Sequence, residues 1–302
     1  MTAHGSRDLH GPGFVVIGPQ RTGTTWLYRN LRRHPGIWIH PAKETHYLDR
    51  SPPGLYARIG GRDRHLRKAR RLLVRQMLER TASRDDMLRA VRFAFGRRDD
   101  RWYLRQFLYR DEVLTGEIAP GYFAAPEPAV ERLTSLCSRT NFVCSLRNPI
   151  EWSWSATVAH FRRRGLSIES APDAAVAERI RSVRRPAEWM ADGVERWERS
   201  VPAHRLKVLF LDQVADDAAG TLSDVLTFLG AEASDDPVPD DVHERRHAQP
   251  YEGIPQRFLG QLAEREYTHV RRLHRHFSNV WTASWLRAAD RALAGESAGR
   301  PS

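Results

Sequence analysis

Apolar and polar positions along this chain follow two periods, one suited to strands and one to helices. The short apolar run Phe14–Ile17 reads as a buried strand of a parallel sheet, and Ile37–Ile39, Thr115–Ile118, Asn141–Arg147 and Leu206–Leu211 read as its further strands. A helical period follows the first run, with Trp26, Leu27 and Leu31 on one side and Arg29, Arg32 and Arg33 on the other. His34-Pro35-Gly36 stops it. Asn148-Pro149-Ile150-Glu151 opens another helix, with Asn at the N-cap, Pro at N1 and Glu at N3. Further helices are predicted over Trp102–Tyr109, over Thr221–Leu229 with Gly230 closing it, and in one long final stretch marked by Ile254, Phe258, Leu262, Leu273 and Phe277. Trp281 and Trp285 are expected to pack that last helix down. Arg58–Arg80 reads as one or two amphipathic helices, either a solvated charged face or a basic lid. Strands alternating with helices predict an α/β fold: a central parallel sheet with helices on both faces.

Between the first strand and its helix lies Gly18-Pro19-Gln20-Arg21-Thr22-Gly23. Two glycines let the backbone turn tightly and approach a ligand, and the free N–H groups of the helix start favour an anion. The Gly-x4-Gly spacing is that of a phosphate-binding P-loop. A nucleotide triphosphatase carries Lys after the second glycine, whereas this chain has Thr24 there and a cation earlier, at Arg21. The loop is fit to hold phosphate without the lysine used in phosphoryl transfer. Lys43-Glu44-Thr45-His46-Tyr47-Leu48-Asp49 follows the second strand and should emerge at the same carboxyl edge, where open α/β sheets bind ligands. Glu44 there is a candidate general base with His46 as its partner, and a solvated loop is the competing reading. Arg147 at a strand end and Ser155 eight residues on suit one phosphate, by charge and a hydroxyl. Val208–Asp212 could pass for the strand that ends in a magnesium-binding aspartate, which favours a kinase; Thr24 argues against one.

Composition narrows the partners only partly. The 302 residues carry a formal charge of +11 and 41% apolar content, enough for a core. The basic excess fits nucleic acid, a membrane surface or anionic small ligands, and no nucleic-acid motif accompanies it. No run reaches the roughly 18 apolar residues of a membrane span. Met1–Gly13 is a polar lead-in without a signal core, so a soluble, cytoplasmic protein is expected. Cys137 and Cys144 give neither a disulfide framework nor a metal set, and no metal-binding pattern occurs.

Arg21-Thr22-Gly23-Thr24-Thr25 resembles the first signature of the sulfotransferases that use 3′-phosphoadenosine 5′-phosphosulfate (PAPS): a strand, then (K/R)-x-G-T-(T/S), then a helix. Arg147 to Ser155 resembles their second, R-(D/N)-P-(V/I)-E-x-x-x-S, which grips the 3′-phosphate. His34-Pro35 and Lys43–Asp49 are similar to the HP pair and K-E-x-H-(F/Y)-(F/L)-D segment of the heparan or glycan-type branch and its bacterial relatives. Glu117, Pro120 and Tyr122 match a G-E-(K)-(S/T)-P-x-Y segment in which Ile118 replaces a frequent Lys. Arg245 and Arg246, in His243–Gly253, loosely match a basic loop that closes over the nucleotide.

The resemblance spans roughly Phe14–Trp285 and implies a P-loop-like fold. It implies a lead-in at 1–13, one domain at 14–290 with an Arg-rich insert near 55–110, and a tail at 291–302. Arg21, Thr22, Gly23, Thr24, Thr25, Trp26, Arg147, Ser155, Arg245 and Arg246 would then bind the donor, and Glu44, His46 and Arg21 would be catalytic. The implied reaction is sulfuryl transfer from PAPS to a hydroxyl of a carbohydrate or a bacterial secondary metabolite, without metal. A small-molecule kinase and a non-catalytic nucleotide- or polyanion-binding protein are the alternatives.

Overall fold

All four residues of β1 (Phe14–Ile17) are fully buried, the mark of a strand with neighbours on every side. The computed structural model places it at the centre of a five-stranded sheet. The structure describes residues 10–48, 84–108, 113–183, 186–231, 242 and 253–295. Beside β1 run β2 (Ile37–Ile39), β3 (Leu114–Ile118), β4 (Asn141–Leu146) and β5 (Leu206–Phe210), in the spatial order β2-β3-β1-β4-β5. Every pairing is parallel, with Phe14 opposite Gly116 on one side and Asn141 on the other.

Helices connect the strands: α1 (Thr24–Leu31), α2 (Arg84–Phe95), α3 (Asp100–Arg105), α4 (Glu127–Leu136), α5 (Pro149–Arg162), α6 (Asp173–Ser182), α7 (Pro186–Ser200), α8 (Leu211–Asp216), α9 (Ala218–Leu229), α10 (Gln256–Phe277) and α11 (Val280–Leu293). The period of two along β1 sorts them into layers. Val15 and Ile17 face one core with Phe142, Trp154, Trp197 and Leu262. Phe14 and Val16 face the other with Leu27, Leu31, Val143 and Val225. α1 therefore covers one face and α5 the other. The loops leaving β1 and β4 diverge to opposite faces, which opens a crevice at their carboxyl ends.

Several boundaries differ from those read in the sequence. The strand expected to run through Leu211 ends at Phe210, because the Gln213 side chain accepts the Phe210 N–H at 2.8 Å and starts α8. α9 begins at Ala218 rather than Thr221, capped by Asp217, which accepts the Gly220 N–H at 2.8 Å. The final helix is two: Ser278 takes a left-handed φ of 47°, and Asn279 caps α11 by accepting the Thr282 N–H at 2.9 Å. Trp285 belongs to that second helix and packs edge-on to Phe210 at 5.6 Å. α3 is capped by Asp99, which accepts the Trp102 N–H, and it covers Asp100–Arg105. The Arg58–Arg80 segment lies outside the described residues.

Cys137 and Cys144 are free and buried. Burial pushes the Cys137 thiol up to about 12 and the Cys144 thiol higher still. No helix among the described residues is long and apolar enough to cross a membrane.

Candidate active site

The loop after β1 is built for close approach. Gly18 takes φ 134°, and a Cβ there would fall on the Ser145 carbonyl of β4. Gly23 takes φ 96°, and its Cβ would come within 2.7 Å of Leu211. Thr22 turns inward: its hydroxyl donates to Pro19 O at 2.6 Å, and Ser145 Oγ donates to Thr22 O. What Thr22 can offer a ligand is its backbone. α1 then starts with no side-chain cap on Gly23 and no acidic residue in its first turn, so the positive end of the helix faces the crevice. Arg21, a non-glycine residue, is held at φ 74° beside it.

The second basic segment meets this loop from β4. Arg21 Nη1 donates to Ser155 Oγ at 3.0 Å across a separation of 134 residues. Trp152 Nε1, on the same helix as Ser155, donates to Gln20 O at 2.6 Å. Asn148 caps α5 as its position predicts, accepting the Ile150 N–H at 3.0 Å. Glu151 does not complete a capping box. Its carboxylate takes the Arg147 guanidinium, with Nε at 3.1 Å and Nη2 at 2.9 Å, because a cation four residues back is a stronger donor than the Asn148 N–H.

The third segment, after β2, is held from β3. Ile118 N–H donates to Lys43 O at 3.0 Å. Thr45 N–H donates to Glu117 Oε2 at 3.0 Å, and Tyr103 OH donates to Glu117 Oε1 at 2.7 Å. Tyr122 OH accepts the Tyr47 N–H at 2.9 Å and pairs with Thr45 Oγ1 at 2.9 Å. Glu117 is fully buried. Burial pushes its carboxyl up, and the Tyr103 and Thr45 hydrogen bonds oppose that. Lys43 and His46 both adopt left-handed backbone, at φ 63° and 56°. Glu44, between them, is half-buried. The Lys43 ammonium comes within 3.4 Å of Thr25 Oγ1, bringing this segment against the start of α1. Burial lowers the Lys43 pKa, and the Glu44 carboxylate opposes the shift.

Arg21, Thr22, Gly23, Thr24, Thr25, Arg147, Ser155, Glu44 and His46 thus gather at one carboxyl edge. Trp26 points elsewhere: its indole is buried and donates to Val242 O at 2.6 Å. Arg245 and Arg246 lie outside the described residues. Asp212 is not a strand-terminal carboxylate. It sits in α8, accepts from Trp285 Nε1 at 3.0 Å, and is pushed up by burial. The sequence singles out Glu117 and Tyr122 as matches to a family segment, with Glu117 open to a structural role; their hold on Thr45 and Tyr47, and the reach of Lys43, come from the structure. One signal was present, since a carboxylate inside a buried strand requires partners.

The uncapped start of α1 and the basic side chains of Arg21, Lys43 and Arg147 suit this edge to anions, with the Glu44 carboxylate on the same segment as Lys43. Residues 12–236 match the sequence profile of the Sulfotransferase family. The chain belongs to the sulfotransferase family. This sulfotransferase is 26% identical over 234 residues to the human bifunctional heparan sulfate N-deacetylase/N-sulfotransferase 3, which covers 72% of the chain. The chain spans 22% of that relative's length. Among solved structures, a sulfotransferase from Alicyclobacillus acidocaldarius shares the fold of this one with a TM-score of 0.59 at 22% identity, over 91% of this chain and 98% of that one. The sulfotransferase domain of the Synechococcus PCC 7002 olefin synthase matches 94% of this chain and 96% of its own at 17% identity, with a TM-score of 0.46.

Proposed function

We propose that this sulfotransferase moves a sulfuryl group from PAPS to a hydroxyl of a carbohydrate or secondary-metabolite acceptor. The observation that carries the reading is the 3.0 Å contact between Arg21 and Ser155, which joins two anion-binding segments into one crevice. A donor with phosphate groups at both ends of its ribose calls for that pair. In this reading Arg147 and Ser155 hold the 3′-phosphate, and Glu151 fixes the plane of the guanidinium. Arg21 and the N–H groups opening α1 hold the 5′ side. Glu44 takes the proton as the acceptor oxygen attacks sulfur. The bond from sulfur to the 5′-phosphate oxygen breaks, and Arg21 with the helix N–H groups stabilises the charge left there.

The test is calorimetry with 3′-phosphoadenosine 5′-phosphate (PAP) and with AMP, followed by transfer from PAPS to a panel of hydroxyl acceptors. A charged hydrogen-bonded contact contributes about 1.5–3 kcal/mol, so PAP should bind at least about ten-fold more tightly than AMP. Arg147→Ala and Ser155→Ala should remove that advantage and leave AMP affinity unchanged. Equal affinity for the two nucleotides in the parent protein would defeat the reading.

A further inference from the structure

The loop at Gly18–Gly23 has Thr24 where phosphate loops carry lysine, and the exit of β3 has Ile118 where a lysine would serve. An ammonium is nevertheless present at the loop. Lys43 Nζ lies 3.4 Å from Thr25 Oγ1, in the first turn of α1, and 5.6 Å from the centre of the Tyr28 ring. We propose that Lys43 binds the 5′-phosphosulfate end of the donor, supplying from the segment after β2 the ammonium that the phosphate loop itself lacks. The proposal rests on the donor named above.

Backbone geometry supports it. Lys43 is fixed on both sides, its N–H donating to His40 O at 2.8 Å and its carbonyl accepting from Ile118 N–H at 3.0 Å. Between those bonds it is held at φ 63°, a conformation that glycine or asparagine adopts at less strain. Glycine would make the same turn. Strain of this kind in a long charged residue gathers where the side chain serves a site.

Electrostatics point the same way. A helix N-terminus favours anions and disfavours cations. α1 has no acidic residue in its first turn and no side-chain cap, yet the Lys43 ammonium is brought to it. Burial penalises the ammonium further, and the Glu44 carboxylate offsets only part of that. An anion bound at the first turn would attract both the helix N-terminus and the ammonium and so offset these unfavourable terms.

Calorimetry with two nucleotides separates this role from a structural one. PAP carries the 5′-phosphate, and adenosine 3′-phosphate lacks it. Lys43→Gly suits the left-handed backbone and removes the charge. It should weaken PAP by about ten-fold or more and keep adenosine 3′-phosphate within about two-fold of the parent, as loss of one charged contact predicts. Lys43→Arg should retain most of the PAP affinity. The proposal is overturned if Lys43→Gly binds PAP as the parent does, if Lys43→Arg loses as much as Lys43→Gly, or if both nucleotides weaken together. A parent that binds neither nucleotide overturns the donor reading and this proposal with it. A parent that binds PAP beside an indifferent Lys43→Gly variant overturns the Lys43 role alone.

Discussion

Glu44 and His46 sit two residues apart on a segment whose backbone is left-handed at Lys43 and at His46. With Glu44 as the base, Glu44→Gln should slow single-turnover transfer by about 10²–10⁴ while PAP affinity stays at the parent value. His46→Ala should be milder. An active Glu44→Gln protein beside an inactive His46→Ala one would hand the proton to His46 instead. Arg21, Arg147 and Ser155 stand out in the sequence as candidates because they fall in short local spacings. The contacts of Glu117 and Tyr122 do not. Their partners, Thr45 and Tyr47, lie 72 and 75 residues away, and no local pattern reports a contact of that range.

At the scale of elements, β3 and the short turn after it act as the support on which the Lys43–Tyr47 segment rests. Tyr122→Phe removes one oxygen and little volume. It leaves the Tyr47 N–H unpaired, so stability should fall by about 1–3 kcal/mol, the penalty for a buried donor without a partner. Amide exchange over residues 43–48 should accelerate, and transfer should slow with PAP affinity retained. Unfolding in urea and hydrogen exchange measure the first two; an unchanged exchange rate over that segment would show that Tyr122 does not hold it. β1, β2, β4 and β5 were legible because a buried parallel strand is a mostly apolar run, and β3 was read as a strand although it carries Glu117. α7 went unread although Met190, Val194, Trp197 and Val201, all buried, carry a helical spacing. The break at Ser278-Asn279 went unread because both flanking helices continue the same apolar period, and only the left-handed serine and the asparagine cap divide them.

At the scale of the whole molecule, His40 gives stability a dependence on acid. His40 is buried next to Phe93, and burial lowers its pKa from 6.5 to about 4; the Gln106 hydrogen bond opposes this and Arg89 adds to it. The unfolded chain takes up this proton near pH 6.5 and the folded one only near 4. The contribution is therefore complete above about 6.5 and is lost as pH falls through that window, up to about 3 kcal/mol in all. His40→Asn keeps an acceptor for the Ala42 N–H and cannot titrate. Its stability relative to the parent should rise between pH 7 and pH 4.5 in urea titrations, and a constant difference would mean that His40 does not titrate there. The buried carboxyls of Glu117, Asp212 and Glu266, whose pKa values are raised, push the other way in both proteins and cancel in the comparison.

The two thiols follow from the same interior. Cys144 lies within β4 at the middle of the sheet, and Cys137 closes α4 beneath it in sequence, each almost without exposure. Neither can meet a reagent, or ionise to react with one, until the chain around it opens. Labelling of the native protein by a thiol reagent is thus a clock for opening events, with two hands set in neighbouring elements. Against that silent background, a single cysteine introduced on the surface would be the one site that reacts at once.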